Sequence, residues 1–328
     1  MRTKVLLCGA TGFIGRNMLE FFSKNKEFDI RATSYKRPKF DVKNSANEIE
    51  WVKGDLRDPS FVNTVMQNVD IVIQCAATTS GSKDIVNTPY LHVTDNAVMN
   101  SLLLRSAHDN KVSHFIFFSC TVMYPSSVSA IKEIDFDNNT PLHERYFGVG
   151  HTKLYIERML EFYSKISDMK TTAIRHSNIY GQHDKYDFER SHVFGATVSK
   201  VMLATDTVTV WGTGEEARDV LHVDDLNRFV GLAIERQIEK YELFNCGAGI
   251  VIKIKDLVEK IVKISGKSLF IKHDLTMPSI PTSLCVNCEK AEKKLGWVPE
   301  VSLETGIYST LNWWAQNIDP ETLKIKEN

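Results

Sequence analysis

The chain has 328 residues, a formal net charge of −1, 25% charged residues and 43% hydrophobic residues. That length suits one large α/β domain or two unequal lobes around a sizeable core. The near-zero charge argues against a dedicated nucleic-acid binder, which carries a basic excess. With no apolar run of about 18 residues, no transmembrane helix is expected.

The opening stretch, MRTKVLLCGATGFIG, reads as a buried first strand and not as a leader, because Gly-Ala-Thr-Gly interrupts its short apolar run. GATGFIG, residues 9–15, follows that strand and opens a helix through NMLEFFSKN. Gly9 permits a tight turn, Gly12 lets the backbone approach a pyrophosphate, and Gly15 permits close helix–strand packing. The helix N-terminus adds N–H groups and positive potential, so these glycines, with Thr11, Phe13 and Ile14 between them, predict a dinucleotide-binding loop.

FDIRATSY is the second strand, ending in SYKRP. An acidic residue there would bind the ribose 2′-OH of NAD; Lys36 and Arg37 suit a 2′-phosphate instead, through charge-assisted hydrogen bonds. NADP(H) is therefore the expected cofactor, with NAD(H) as the alternative. EIEWVKGDL is the third strand. Asp55, followed by Leu56, lies where a carboxylate meets an adenine amino group. A helix is predicted near PSFVNTVMQN, and DIVIQCAA is the fourth strand, where the small Ala76 and Ala77 let a cofactor approach. A long helix follows over VTDNAVMNSLLLRSAHDN, then a fifth strand, HFIFFSC. TKLYIERMLEFYSKI is a helix with apolar residues at 3–4 spacing, and TTAIRHSNIYG is the sixth strand. Strand–helix alternation of this kind predicts right-handed crossovers and a doubly wound, Rossmann-type parallel sheet. The strands are apolar throughout, as strands covered on both faces are.

After about residue 181 the rhythm loosens. HDKYDFERSH is polar and loop-like, VTVWGTGEEARDVLHVDDL has strand and turn character, IKDLVEKIVKIS is a helix, SLFIKHD a strand, and the tail ends in a further helix. Residues 1–181 are expected to form mainly the nucleotide-binding domain. Residues 182–328 are expected to form mainly a smaller substrate-binding lobe, with about 205–245 returning to the first domain. Cys8, Cys75 and Cys246 read as buried thiols. Cys285 and Cys288 form a C-x-x-C without two further ligands at matching spacing, so no metal is expected. A reducing cytoplasm is the simplest setting.

GATGFIG, GDLRD, CAA, the helix with Asn96, and HVDDL together resemble the extended short-chain dehydrogenase/reductases, the NAD-dependent epimerase/dehydratase family. The resemblance runs from about residue 3 to the closing segment LGWVPEVSLETGI. SNIYGQHDKYDFERSHVFGA and VWGTGEEARDVLHVDDL are most similar to the family's GDP-L-fucose synthase branch. It implies a catalytic set of Ser or Thr, Tyr and Lys. The Tyr exchanges the proton at a sugar C4 oxygen while hydride moves to or from nicotinamide, and the Lys binds the nicotinamide ribose and lowers the Tyr pKa.

Lys153 matches the family's Lys. Cys120 falls at the Ser/Thr position, with Thr121 beside it, and Val149 falls where the Tyr belongs. Valine has no proton to give. Tyr146 lies seven residues before Lys153, which in a regular helix is two turns and about 10 Å along the axis. It can serve only if Gly148 and Gly150 break the segment and the helix starts near His151. Tyr146, or a neighbouring group such as Thr121 or His151, is expected to supply the proton. His192 matches the branch's epimerisation His, whereas its epimerisation Cys falls on Val122. Arg218 resembles the diphosphate-binding Arg, a task that suits a planar fork. Asn178, Lys200 and Trp211 are expected along the substrate. The resemblance also implies a homodimer formed through helices at about 94–110 and 152–166.

Together these features predict an NADP(H)-dependent 4-ketoreductase of a GDP-linked deoxy sugar, working without 3,5-epimerisation because of Val122. An NDP-sugar 4-epimerase or dehydratase with tightly held NAD, and a non-catalytic NADP-binding protein, are the alternatives.

Overall fold

A computed structural model describes residues 2–78, 88–188, 191–277 and 282–326. The apolar runs of the first half become strands β1 (Thr3–Cys8), β2 (Phe28–Ser34), β3 (Glu50–Lys53), β4 (Ile71–Gln74), β5 (His114–Phe118) and β6 (Lys170–His176). With a later strand, Tyr241–Cys246, they form a parallel seven-stranded sheet in the order Tyr241–Cys246, β6, β5, β4, β1, β2, β3. The order reverses beside β1, between β2 and β4, and such a switch point opens a crevice at the carboxyl ends of the strands.

Side chains alternate across the sheet, which divides the core into two layers. Val5 and Leu7 enter a cluster with Met18, Leu19, Phe229 and Val230; Leu6 and Cys8 enter another with Leu103, Leu104, Ile156 and Leu160. The covering helices are α1 (Phe13–Phe22) on the first face, and α2 (Pro59–Val65), α3 (Pro89–Asp109) and α4 (Phe147–Ile166) on the second.

Three expectations need correction. First, the predicted sixth strand is two. β6 leaves the main sheet after His176, Ser177 N–H donates to Cys246 O at 2.8 Å, and β7 (Asn178–Tyr180) pairs elsewhere, with Val220–His222. Second, α4 starts at Phe147 and runs unbroken through Gly148 and Gly150. These glycines serve close packing and not a break: a Cβ at Gly148 would stand 2.8 Å from Val93 Cγ2, and one at Gly150 would stand 2.7 Å from Leu142 Cδ1. Third, the chain returns to the sheet later than residue 205. Strand β8 (Thr207–Trp211) pairs outside the main sheet with Phe270–Asp274. The short strands β9 (Ala217–Arg218) and β10 (Val220–His222) also lie outside it. The returning elements are the helix Val223–Arg236, which packs on α1, and β11 (Tyr241–Cys246).

The remaining chain builds a lobe around helix α5 (Val193–Leu203). Its core joins Phe194 and Val198 to Leu257, Ile261 and Trp314 from two later helices. Asp225 fastens the tail to the main body. Its fully buried carboxylate accepts N–H groups from Glu300 at 2.9 Å and Val301 at 3.0 Å. The HVDDL motif is thus a structural clip. Cys285 is buried and the Cys288 thiol packs on the Gly247 backbone, so the C-x-x-C belongs to the core.

Candidate active site

The dinucleotide loop has the geometry its glycines predict. Gly9 has φ +71°, and a Cβ there would meet Ala76 Cα at 2.6 Å; one at Gly15 would meet Gly9 O at 2.2 Å. Side chains at either position would force the loop away from β4 or from α1. Gly12 is the N-cap of α1, and no side chain caps that first turn, so its N–H groups remain available to a phosphate. This cradle fits the pyrophosphate of a dinucleotide. Thr11 O accepts from Arg37 Nη1 at 3.2 Å, which folds the Arg37 side chain over the loop; Lys36 is exposed, with its ammonium 5.5 Å from the Tyr35 ring centre. Phe13 and Ile14 are half-buried in the sheet's core layer, and Leu56 is buried behind the third strand.

Asp55 is already engaged. Arg57 forks onto it at 2.7–3.2 Å, and those bonds, ahead of all other influences, lower its pKa to about 2. The same guanidinium reaches Asp95 at 2.9 Å, and Asp95 accepts from Thr78 Oγ1 at 3.2 Å. Asn96 fixes the end of β4 by exchanging hydrogen bonds with the Thr78 backbone, both at 3.0 Å. Ala76 and Ala77 lie on this stretch, Ala77 exposed and the cradle's Gly9 pressed on Ala76.

Lys153 sits at the carboxyl edge of the sheet. Its Nζ donates to Phe118 O at 2.7 Å and stands 4.6 Å from the Phe117 ring centre. Burial lowers its pKa, while Cys120 and Glu157 oppose the shift. Burial raises the Cys120 thiol pKa, opposed by the Lys153 charge and by the Val122 N–H. The thiol thus stands at the position where the family resemblance places a hydroxyl, near enough to Lys153 for each group to shift the other's pKa. Thr121 is buried beside them.

Tyr146 is the N-cap of α4, two turns before Lys153. The condition under which it would stand beside Lys153, a helix starting near His151, is not met. Its phenol is instead raised in pKa by burial, against the charges of Arg218 and Arg145, with Cys120 adding to the rise. Its ring packs against His143, 5.7 Å between ring centres. His151 is exposed and packs edge-on against Phe147, 4.5 Å between ring centres, outside this cluster.

Arg218 donates to Ala217 O at 3.0 Å and to Thr282 O, and burial lowers its pKa. His192 is the N-cap of α5; it opens to solvent yet is hemmed by protein, and the lost hydration, helped by Lys185, lowers its pKa. Lys200 donates to Thr209 O at 3.0 Å and covers the exposed Trp211, 4.8 Å from its ring centre. Asn178 is committed to structure: its Nδ2 donates to Asp219 O at 3.1 Å.

Two features escaped the sequence reading. One is a buried chain of polar groups beneath the site. Ser119 donates to Glu157 at 2.6 Å, Arg175 forks onto Glu157 at 2.7 and 3.0 Å, and Tyr124 bridges Arg175 to Asn245. The other is His176, the last residue of β6. Its Nδ1 lies 2.8 Å from Ser177 O and its ring centre 6.2 Å from that of Phe118. Both had a signal: an Arg and a His at the end of a buried strand need partners or a use.

The sequence matches the profile of the NAD dependent epimerase/dehydratase family over residues 5–247. Among individual relatives, the GDP-L-colitose synthase of Yersinia pseudotuberculosis is 25% identical over 319 residues, covering 95% of this chain and 97% of the relative. The GDP-L-fucose synthase of Escherichia coli (strain K12) is 27% identical over 268 residues, 77% of this chain and 82% of the relative. The same fold occurs in the UDP-glucose 4-epimerase of Thermotoga maritima solved with UDP-glucose. Its TM-score is 0.82 at 24% identity, covering 96% of this chain and 99% of that one.

Proposed function

The chain belongs to the NAD dependent epimerase/dehydratase family and is an enzyme that works with a nicotinamide cofactor, and from that premise we propose an NADP(H)-dependent 4-ketoreductase of a nucleotide-diphosphate sugar. A GDP-linked deoxy sugar is the favoured substrate, supported by the GDP-sugar synthases among its relatives. The observation that carries this reading is Lys153, seated between Phe118 O and the Phe117 ring at the carboxyl edge of the sheet with Cys120 beside it. An ammonium there binds a ribose diol and holds positive charge next to the reacting oxygen.

The cofactor supplies hydride. Gly9, Gly12 and Gly15 cradle its pyrophosphate, Thr11, Phe13 and Ile14 shape the loop, and Ala76 and Ala77 leave room for it. Asp55 and Leu56 border the adenine side, and Lys36 and Arg37 are placed for a 2′-phosphate. Arg218 binds the substrate diphosphate, while Lys200 and Trp211 hold its nucleoside. Asn178 shapes this pocket through its bond to Asp219. His192 faces the sugar from the lobe. Cys120 and Thr121 border the reacting carbon, and Tyr146 donates to the sugar-diphosphate between them and Arg218. The chain works as a homodimer in a reducing cytoplasm. Val98 on α3 and Tyr155, Phe162 and Ile166 on α4 supply an exposed apolar face, and no described helix is long and apolar enough to cross a membrane.

Tyr146→Phe is expected to raise KM for the sugar nucleotide by about three- to tenfold, the worth of one neutral hydrogen bond, with kcat little changed. Steady-state kinetics check this; a collapse of kcat at constant KM would make Tyr146 the acid. The function itself is tested by incubating the protein with NADPH and GDP-4-keto-6-deoxymannose and solving the product by NMR. NADPH oxidation with C3 and C5 unchanged is the expected result. A 3,5-epimerised product would restore the activity that Val122 is read to have removed.

A further inference from the structure

The peptide that joins Phe118 to Ser119, at the end of β5, is tied down from three sides. Its carbonyl, Phe118 O, takes the Lys153 ammonium at 2.7 Å. Its N–H, on Ser119, donates to Ile174 O of β6 at 2.8 Å. The Ser119 hydroxyl donates to Glu157 Oε1 at 2.6 Å. Lys153 and Glu157 lie four residues apart on α4 and so share one face of that helix. Consecutive residues at the end of β5 thus meet consecutive turns of α4, once through a carbonyl and once through a hydroxyl.

Glu157 is itself held in place. Arg175 forks onto it from β6 at 2.7 and 3.0 Å, and Tyr124, which accepts from Arg175 at 3.0 Å, donates to Asn245 of β11 at 2.8 Å. Ser119 is buried at 1% exposure and the Glu157 side chain at 4%, so water does not compete for their bond. A hydroxyl that donates to a carboxylate makes a short, strong hydrogen bond.

The consequence falls on Lys153. Its ammonium is a compact charge on a flexible four-carbon stem, so its place is set by its acceptors and not by the helix alone. The peptide unit is planar, so whatever fixes Ser119 also fixes the direction of the Phe118 carbonyl. Removing the Ser119 hydroxyl would leave the charges of Glu157 and Arg175 where they are and take away only the tie.

We propose that Ser119 is a positioning residue: its bond to Glu157 aims the Phe118 carbonyl at Lys153 and so places the ammonium for the nicotinamide ribose. This rests on the reading of Lys153 as the group that binds that ribose. Ser119 acts through Lys153 and takes no part in the chemistry.

The test is a binding cycle on the full-length protein, read by fluorescence titration. NADPH and 2′,5′-ADP are the probes, or NADH and ADP for a wild type that takes those. The second probe of each pair has the adenosine end of the cofactor and lacks the nicotinamide ribose. Ser119→Ala is expected to weaken the dinucleotide about three- to tenfold, the worth of one hydrogen bond. The adenosine probe should stay within about twofold of wild type, the scatter of independent sites. In a Lys153→Met background, Ser119→Ala should change dinucleotide affinity by less than about twofold, because no ammonium is left to place. Equal losses for both probes, no loss for either, or an undiminished effect in the Lys153→Met background overturns the proposal. Should the alanine variant not fold, Ser119→Cys takes its place, the thiol being a weak donor of similar size. A Lys153→Met protein that binds the dinucleotide as wild type does overturns the ribose reading of Lys153 instead. Ser119 is then judged by the Lys153 ammonium itself, in ¹H–¹⁵N spectra of the lysine Nζ groups. A Lys153 signal slowed in exchange in wild type and lost in Ser119→Ala supports the positioning role, and a signal unchanged by the substitution overturns it.

Discussion

Lys153→Met is expected to abolish turnover, by on the order of 10³-fold or more, and to weaken nicotinamide binding about 10- to 100-fold. The Lys153 ammonium is drawn out of water into the cleft, where burial lowers its pKa and Cys120 and Glu157 hold it charged. Two losses follow from its removal. Ribose contacts go first, each charge-assisted hydrogen bond being worth about 1.5–3 kcal/mol. The second is the positive charge at the edge of the reacting oxygen, in a site where low dielectric magnifies it. Lys153→Arg should not rescue. The guanidinium is a rigid planar fork, and it replaces a compact ammonium wedged between Phe118 O and the Phe117 ring. Cofactor fluorescence titration separates the two losses, since binding and turnover fall by different factors. A Lys153→Met protein with wild-type turnover would remove the residue from the chemistry.

Arg175→Met carries the largest expected cost in stability, about 3–5 kcal/mol. Arg175 and Glu157 are both almost wholly buried, at 2% and 4% side-chain exposure, and their bidentate contact is 2.7–3.0 Å. Removing the guanidinium leaves a carboxylate inside the protein with only Ser119 as donor, and takes from Tyr124 one of its two partners. The unpaired charge, more than the lost pair, sets the cost. A double replacement by Glu157→Leu and Arg175→Met should therefore recover most of it. Denaturant midpoints of the single and double variants provide the check. A double variant no more stable than the single would mean that the pair's packing, and not its isolated charge, accounts for the loss. The pair also joins α4, which carries Lys153, to β6, so loss of activity in the single variant is expected with loss of stability.

The sheet was legible in the sequence because its strands are short apolar runs punctuated by helices, and the first loop because three glycines at fixed spacing admit few backbones. Gly9 shows why: its φ of +71° and its 2.6 Å clearance to Ala76 exclude a side chain. Elsewhere, local signals pointed the wrong way. Gly148 and Gly150 read as helix breakers, yet each admits a close neighbour, Val93 and Leu142, that no local pattern foretells. TTAIRHSNIYG reads as one strand, but Ser177 turns the chain from the main sheet to a separate pairing with β10. HVDDL gave no hint that Asp225 would tie down Glu300 and Val301, a contact some 75 residues distant.

Within the site the balance is similar. Lys153 reaches the carboxyl edge of the sheet, where its charge acts on the Cys120 thiol. Tyr146 caps α4 two turns before Lys153, because the exact start of a helix decides which end of it a side chain serves.

The central claim is that this cleft still moves hydride to a sugar carbon although residue 149 is valine. Its most direct test is transfer of label: NADPH carrying deuterium at nicotinamide C4, incubated with the protein and GDP-, UDP- or dTDP-linked 4-keto-6-deoxy sugars, with the products read by NMR. One deuterium at sugar C4 is the predicted result. Unlabelled sugars and unoxidised NADPH with every substrate, from a protein that binds the cofactor, would contradict it.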